Sequence, residues 1–425
     1  MSRLFPVLAL STLCQLLPAA DWPHFQGPTR NGTSTETGLL KSFPAKGPET
    51  LWETPLQEGF GGAAVVGDEV FIADRAQREK DMLLCLDLAT GKEKWRFEHP
   101  SEGEPPYPGS RNVPTVEADA AYFIGSFGDV FRLNRESQKP DWHVKLSERY
   151  PDAEAPKWGY AQCPLVVGDL LIVTPFGTET GIAAWDKKTG KEVWKSGPIG
   201  STHSSPTLLN ILGEEQLVII TAEGTYGFNP ADGTRLWHTD LYQVRIPIPF
   251  PTLVGNDRLF LTGGYDAGSK FLKITKKGSN YQFETLWELA KGSQIHPPQI
   301  IGEHLYMLAN ENSNHNAKAR RKKGGLTCIE LASGKELWST GDEPFMGRGG
   351  LLHADGALYI QDGESGVLRA FKVSPEGPEK LAEANVFQTD ESRRRDLKYW
   401  SPLALSQGHL LLRGQDRLLC LKLKP

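Results

Sequence analysis

Two arginines, two histidines and several aromatics recur at one kind of place in this sequence, just ahead of a short segment that opens at or near a proline. Arg111 precedes Pro114. Trp158, Tyr160 and Gln162 precede Pro164. His203 precedes Pro206, His296 precedes Pro298, and Tyr399 and Trp400 precede Pro402, while Arg348 leads into Gly349-Gly350. Guanidinium groups fork onto carboxylates, and aromatic faces take cations and the flat faces of sugars. Such a set suits an anionic or carbohydrate-like ligand, or an extended peptide. It lacks what bond-breaking needs. The chain has no His-Glu-x-x-His, no Cys-x-x-Cys and no Gly-x-Ser-x-Gly, so no catalytic residue is assigned. Gly263 to Lys270 imitates a phosphate loop, but Ser269-Lys270 stand in the wrong order and the loop joins two strand-like segments. The 10 histidines show no ligand spacing, and no metal centre is expected.

The elements that must position these residues form a repeat. Asp87 to Trp95, Asp186 to Trp194, Asn229 to Trp237 and Glu330 to Trp338 nearly copy one another. Tryptophans end successive units at 52, 95, 142, 194, 237, 287 and 338, spaced 43 to 52 residues apart, and Leu381 takes that place in the seventh unit. Each unit reads as four strands. In the first, Gly62 to Val66 is a small-residue inner strand, Val70 to Ala73 the second, Leu83 to Leu86 the third and Lys94 to Phe97 the fourth. Thr90-Gly91 supplies a turn residue that tolerates positive φ, and Asp87 can bond back to its own loop. The third strand ends eight times on a large apolar residue, from Leu86 in the first unit to Leu421 in the last.

Eight such units predict an all-β fold, an eight-bladed β-propeller of four-stranded antiparallel blades. The eighth unit lacks a fourth strand, and the orphan segment Leu51-Trp52-Glu53 has the identity to supply it. The N-terminal strand around Trp52 is therefore expected to complete the last blade, because a closed ring leaves no sheet edge exposed. In a propeller, the loops from fourth to first strands share a face with the loops from second to third strands, around the channel mouth. All the candidates named above fall on that face. Long charged loops fall there too, with Lys318, Arg320, Arg321, Lys322 and Lys323 in one and Arg393, Arg394 and Arg395 in another.

The motif Asp/Asn-x-x-Thr/Ser/Asp-Gly-Lys/Thr-x-x-Trp resembles the quinoprotein-type (PQQ-like) propeller repeat. That repeat occurs in quinoprotein alcohol dehydrogenases and in the outer-membrane assembly factor BamB. The opening Trp22-Pro23-His24-Phe25-Gln26-Gly27-Pro28-Thr29-Arg30-Asn31-Gly32 is similar to a leader that precedes such propellers in exported bacterial proteins. The resemblance covers nearly all of the chain beyond the first 20 residues. It implies the fold and leaves function open, because one fold hosts many activities. Its dehydrogenase members use PQQ with calcium, a catalytic aspartate, and a glutamate with an asparagine or aspartate as calcium ligands. Methanol-type members add two adjacent cysteines. This chain has no Cys-Cys pair, and the motif identifies no counterparts for the acidic ligands. No cofactor is assigned, and PQQ with calcium stands as the alternative.

Residues 1–20 read as a signal peptide: Arg3, then an apolar run from Leu4 to Leu17, then the small residues Ala19-Ala20. Residues 21–50 follow as an N-terminal arm, and 51–425 as one propeller domain. Export to the periplasm or the exterior is the expectation. No other stretch is long and apolar enough to be expected to cross a bilayer. A net charge of −5 argues against nucleic acid as a partner. The reading is an exported, monomeric, non-catalytic propeller that binds a small ligand or a protein or peptide partner at its channel mouth. A PQQ-dependent oxidoreductase and an envelope-assembly scaffold are the alternatives.

Overall fold

A computed structural model describes residues 21–44, 46–76, 78–310, 324–341, 344, 346–387 and 397–425. The expected signal peptide and the basic loop residues 318–323 and 393–395 lie outside the described residues. Among the described residues the strands form eight antiparallel sheets, six of them built from four consecutive strands of one repeat, while the seventh and eighth also take in strands from the N-terminal part of the chain. In the first blade these are Ala63–Val66, Glu69–Ala76, Lys80–Asp87 and Glu93–Pro100. The expected propeller is the observed fold.

The geometry of the repeat explains its motif. The Thr90 amide and hydroxyl donate to the Asp87 carboxylate at 2.8 and 2.6 Å, and Thr189 does the same to Asp186 at 2.8 and 2.7 Å. This loop presents a glycine in the left-handed region, with φ of 67° at Gly91 and 68° at Gly190. The tryptophan of the preceding blade lies flat on that glycine. A Cβ on Gly91 would sit 2.4 Å from the ring of Trp52, one on Gly190 2.8 Å from Trp142, and one on Gly233 2.3 Å from Trp194. The indole then donates to a carbonyl of the next blade: Trp52 to Leu88 at 2.8 Å, Trp142 to Lys187 at 3.1 Å, Trp194 to Pro230 at 3.0 Å, and Trp287 to Leu331 at 2.9 Å. Glycine and tryptophan within one motif therefore serve two different interfaces. Each repeat offers a seat to the blade before it and an anchor to the blade after it.

Closure follows the expectation. Thr50–Pro55 pairs antiparallel with Arg417–Lys422, with Trp52 opposite Cys420, and completes the eighth blade. A buried ion pair crosses the same seam. Arg413 of the eighth blade reaches Asp74 of the first at 2.9 Å, and also donates to the carbonyls of Ala73 at 2.8 Å and Gly61 at 3.1 Å. Among the described residues the four cysteines, Cys85, Cys163, Cys328 and Cys420, are buried and free.

The arm before Trp52 does more than lead into the ring. Trp22 bridges Val65 on the inner strand of the first blade, and the Pro23 carbonyl accepts from Val116 of the second at 2.8 Å. Phe25 then meets Phe250, ahead of the fifth blade's inner strand, edge to face at 5.6 Å. Gln299 of the sixth blade donates to the Asn31 carbonyl at 2.8 Å. Thr33–Ser34 pairs in parallel with His353 and Ala354 and becomes a fifth strand on the seventh blade. Glu36 accepts from the Gly408 amide at 2.7 Å and pairs with Lys424 at 2.9 Å, both in the eighth blade. The arm thus crosses the channel from one side to the other. Its contacts with the first-to-second strand turns, at Gly67 and Asp355, put it at the end opposite the candidate loops.

Candidate functional site at the channel mouth

Every crossing between blades contributes to one cavity of about 340 Å³ at the channel mouth. Phe60 comes from the crossing into the first blade, Arg111 from that into the second, Trp158 into the third and His203 into the fourth. Ile248, His296, Arg348 and Trp400 follow from the remaining four. The repeat explains this convergence, because each inner strand runs along the channel and its leading residue stands at the rim. Phe25 of the arm also lines the cavity, so the arm supplies part of its floor.

One wall is a stack. Trp400 lies 5.5 Å from Phe60 and 5.9 Å from Tyr107 with nearly parallel rings, and the Arg348 guanidinium covers it at 4.7 Å. Arg348 is also paired with Glu364. On another wall, Trp158 packs against His203 at 5.1 Å. Arg111 is held differently from Arg348. It bonds only to backbone carbonyls, that of Gly109 at 3.0 Å and that of Tyr107, and has no carboxylate partner among the described residues. Burial pulls its guanidinium down to about 10.

Burial disfavours the charged form of both cavity histidines. Burial pushes His296 down to about 4, against a raising contribution from its bond to the Trp400 carbonyl. Its Nε2 lies 2.9 Å from that carbonyl, which can only accept, so Nε2 carries the proton and Nδ1 is an acceptor. Burial, with the charge of Arg111, pushes His203 down to about 4 as well. Four buried polar atoms on cavity-lining residues have no partner among the described residues: His203 Nδ1, Gln294 Oε1, His296 Nδ1 and Trp400 Nε1. Buried polar atoms are rarely left unpaired, and a cluster of them calls for an explanation.

Six of the nine sequence candidates line the cavity: Arg111, Trp158, His203, His296, Arg348 and Trp400. The other three are placed beside it, in the packing of the loops. Tyr160 is buried over Gly128 and its hydroxyl donates to the Pro175 carbonyl at 3.3 Å. Gln162 is buried and donates to the Thr202 carbonyl at 2.8 Å. The Tyr399 ring packs against Phe387 and covers Gly366. Sequence reasoning missed Phe60, Tyr107, Tyr265, Gln294 and Phe25. Phe60 and Gln294 stand in the same leading position as the others, so the rule that found His296 extends to them.

The residue set does not fit the calcium-held quinone. That group needs carboxylate ligands and a catalytic aspartate, whereas the described residues lining the cavity include two arginines and two histidines and no aspartate or glutamate.

Comparison with known proteins agrees with the fold. The family model described as outer membrane protein assembly factor BamB matches residues 36–155 and 83–340. A search of the curated proteins finds no match. Among solved structures, BamB from Moraxella catarrhalis is similar with a TM-score of 0.58 and 14% identity, over 88% of this chain and 98% of that one. Quinohemoprotein alcohol dehydrogenase from Comamonas testosteroni gives a TM-score of 0.62 and 12% identity, over 95% of this chain and 81% of that one. The computationally designed Ika8 protein gives 0.59 and 12%, over 88% of this chain and 100% of that one. At these identities the likeness is one of fold. No helix among the described residues is long and apolar enough to cross a membrane. The repeat, the eight closed blades and the extent of the family match together show that this chain belongs to the PQQ-like propeller family of the outer membrane protein assembly factor BamB.

Proposed function

We propose that this is an exported, non-catalytic binding propeller whose channel-mouth cavity holds an anionic, hydroxyl-bearing ligand with a flat apolar face, as in an acidic sugar. The observation that carries this reading is Arg111, a cation on the cavity wall with no carboxylate partner among the described residues. A partly buried, uncompensated charge is costly unless a counter-charge arrives. The rest of the lining matches such a ligand. Trp158 offers an aromatic ring, Trp400 Nε1 offers a donor, and His296 Nδ1 and Gln294 Oε1 offer acceptors for hydroxyl groups.

The test is a titration of the chain with uronic-acid oligosaccharides, their neutral counterparts and short acidic peptides, followed by tryptophan fluorescence and calorimetry. The acidic sugar should bind more tightly than its neutral counterpart. Arg111→Gln should weaken it at least about tenfold, while circular dichroism stays unchanged. Equal binding of neutral and acidic sugars, or indifference to Arg111→Gln, would sink the reading. Dye reduction by the chain reconstituted with PQQ and calcium would overturn its non-catalytic part.

A second reading, an envelope-assembly scaffold, is favoured by the family match alone. It predicts that crosslinking in intact cells captures an outer-membrane protein through the loops at the mouth.

A further inference from the structure

Away from the channel, the outer strands of the first two blades bring two imidazoles onto one carboxylate. His99 is the penultimate residue of the outer strand Glu93–Pro100 of the first blade. His143 lies on Pro140–Lys145, the outer strand of the second blade, opposite Phe131, and Asp129 is opposite Lys145 in the same register. Strand alternation therefore puts Asp129, Phe131 and His143 on one face of the second blade, the face that meets the first. His99 Nε2 lies 3.4 Å and His143 Nε2 2.9 Å from the same oxygen, Asp129 Oδ1. The ligand atoms of all three residues lie within 4.8 Å of one another.

We infer that His99, Asp129 and His143 form a binding site for a divalent late transition-metal ion such as Zn²⁺, shared between the first two blades. Two imidazole nitrogens and one carboxylate oxygen suit zinc, nickel or copper and not calcium or magnesium. Ligands about 2.0–2.1 Å from a tetrahedral zinc stand about 3.3 Å from each other, which is close to the two spacings at Asp129 Oδ1. The rings are already held. His143 stacks on Phe131 at 4.5 Å, His99 meets the same ring edge-on at 4.9 Å, and the two imidazoles are 4.7 Å apart. Asp129 is buried while the histidines are 25% and 35% exposed, so the carboxylate is fixed from within and an ion enters from solvent. Lys145 approaches the other carboxylate oxygen, Oδ2, at 3.9 Å, which leaves Oδ1 for the ion. Three protein ligands and an open fourth position fit a site that joins two blades while keeping a water or a partner's ligand.

The experiment uses the full chain stripped with chelator. Zn²⁺ is titrated by calorimetry, and Co²⁺ by its visible absorption, which reports four-coordinate geometry. One ion per chain is expected, with nitrogen–oxygen ligand absorption and a melting midpoint that rises with Zn²⁺. His99→Gln and His143→Gln should each weaken binding at least 30-fold and abolish the rise in midpoint. Lys145→Met, which removes the nearest competing cation, should tighten binding. Binding that survives both histidine variants would place the ion elsewhere and overturn the proposal. So would no binding of Zn²⁺ or Co²⁺ by the parent chain, which would leave the three side chains as a hydrogen-bonded cluster between the blades.

Discussion

The indole Nε1 of Trp52 donates to the Leu88 carbonyl at 2.8 Å, across the seam where the first and last blades meet. Trp52 arrives there on a strand paired with Arg417–Lys422, and its ring covers Gly91. The first and last parts of the chain are thus joined by the same contact that joins other neighbouring blades.

Trp52→Ala should destabilise the protein by about 3–5 kcal/mol, the range for deleting a buried tryptophan. Gly91→Ala should do comparable harm from the other side of the contact, because the new Cβ would lie 2.4 Å from the ring at a φ of 67°. Urea denaturation of both variants checks this. Midpoints equal to the parent's would mean that the seam contributes little to closure.

The second tie across that seam is ionic. Arg413 and Asp74 are both buried, and burial pushes the Asp74 carboxyl up despite the guanidinium beside it. Arg413→Ala leaves Asp74 buried without its counter-charge, so a loss of about 3–5 kcal/mol is expected. The double variant Arg413→Ala with Asp74→Ala should recover part of that loss, and thermal melts of the parent, both single variants and the double variant measure the coupling.

Acid should destabilise the folded state through its buried histidines. The unfolded chain takes up protons on these imidazoles near pH 6.5, whereas in the folded chain burial lowers His296 to about 4 and His203 to about 4. Between those values the unfolded state binds more protons, so stability falls as pH falls from 6.5 towards 4, and is level above that window. For the buried His296 the difference corresponds to about 3 kcal/mol. Denaturation midpoints at pH 7, 5.5 and 4.5 should fall in that order, and less steeply in His296→Gln. Parallel slopes in parent and variant would contradict this assignment.

Phe25 belongs to the arm but lines the cavity. Phe25→Ala should therefore deepen the cavity and alter ligand affinity severalfold, although the residue lies far from every rim loop in the sequence. Its edge-to-face contact with Phe250 at 5.6 Å is also lost, so a modest fall in stability should accompany the change. Calorimetry beside a thermal melt separates the two effects, and unaltered affinity would show that the floor takes no part in binding.

Much of this architecture was legible in the sequence, and the reason is physical. Each blade must seat a tryptophan on a glycine of its neighbour, so the motif had to recur, and its absence from one end and surplus at the other revealed how Trp52 closes the ring. Irregular segments obey no such rule. Tyr160 and Gln162 stand in a loop without period-two alternation, and nothing local says whether a side chain turns to the channel or to the next loop. The arm was illegible for a related reason. Thr33–Ser34 finds its partner more than 300 residues later at His353 and Ala354, and a strand of two residues carries no pattern. His99 and His143 were read as scattered because the contact that unites them runs between blades and is set by register, not by spacing along the chain.

The course of the arm has a consequence for biogenesis. Trp22 and Pro23 meet the first two blades at Val65 and Val116, but the partners of the arm's later part, from His353 to Lys424, follow it by more than 300 residues. Contacts of such separation form late and slowly. The tie that the arm makes to the seventh and eighth blades is therefore acquired only when those blades have emerged. A chain cut within those two blades would leave the arm tied at one end alone, so its resistance to proteolysis between Thr33 and Trp52 would report that the ring has closed.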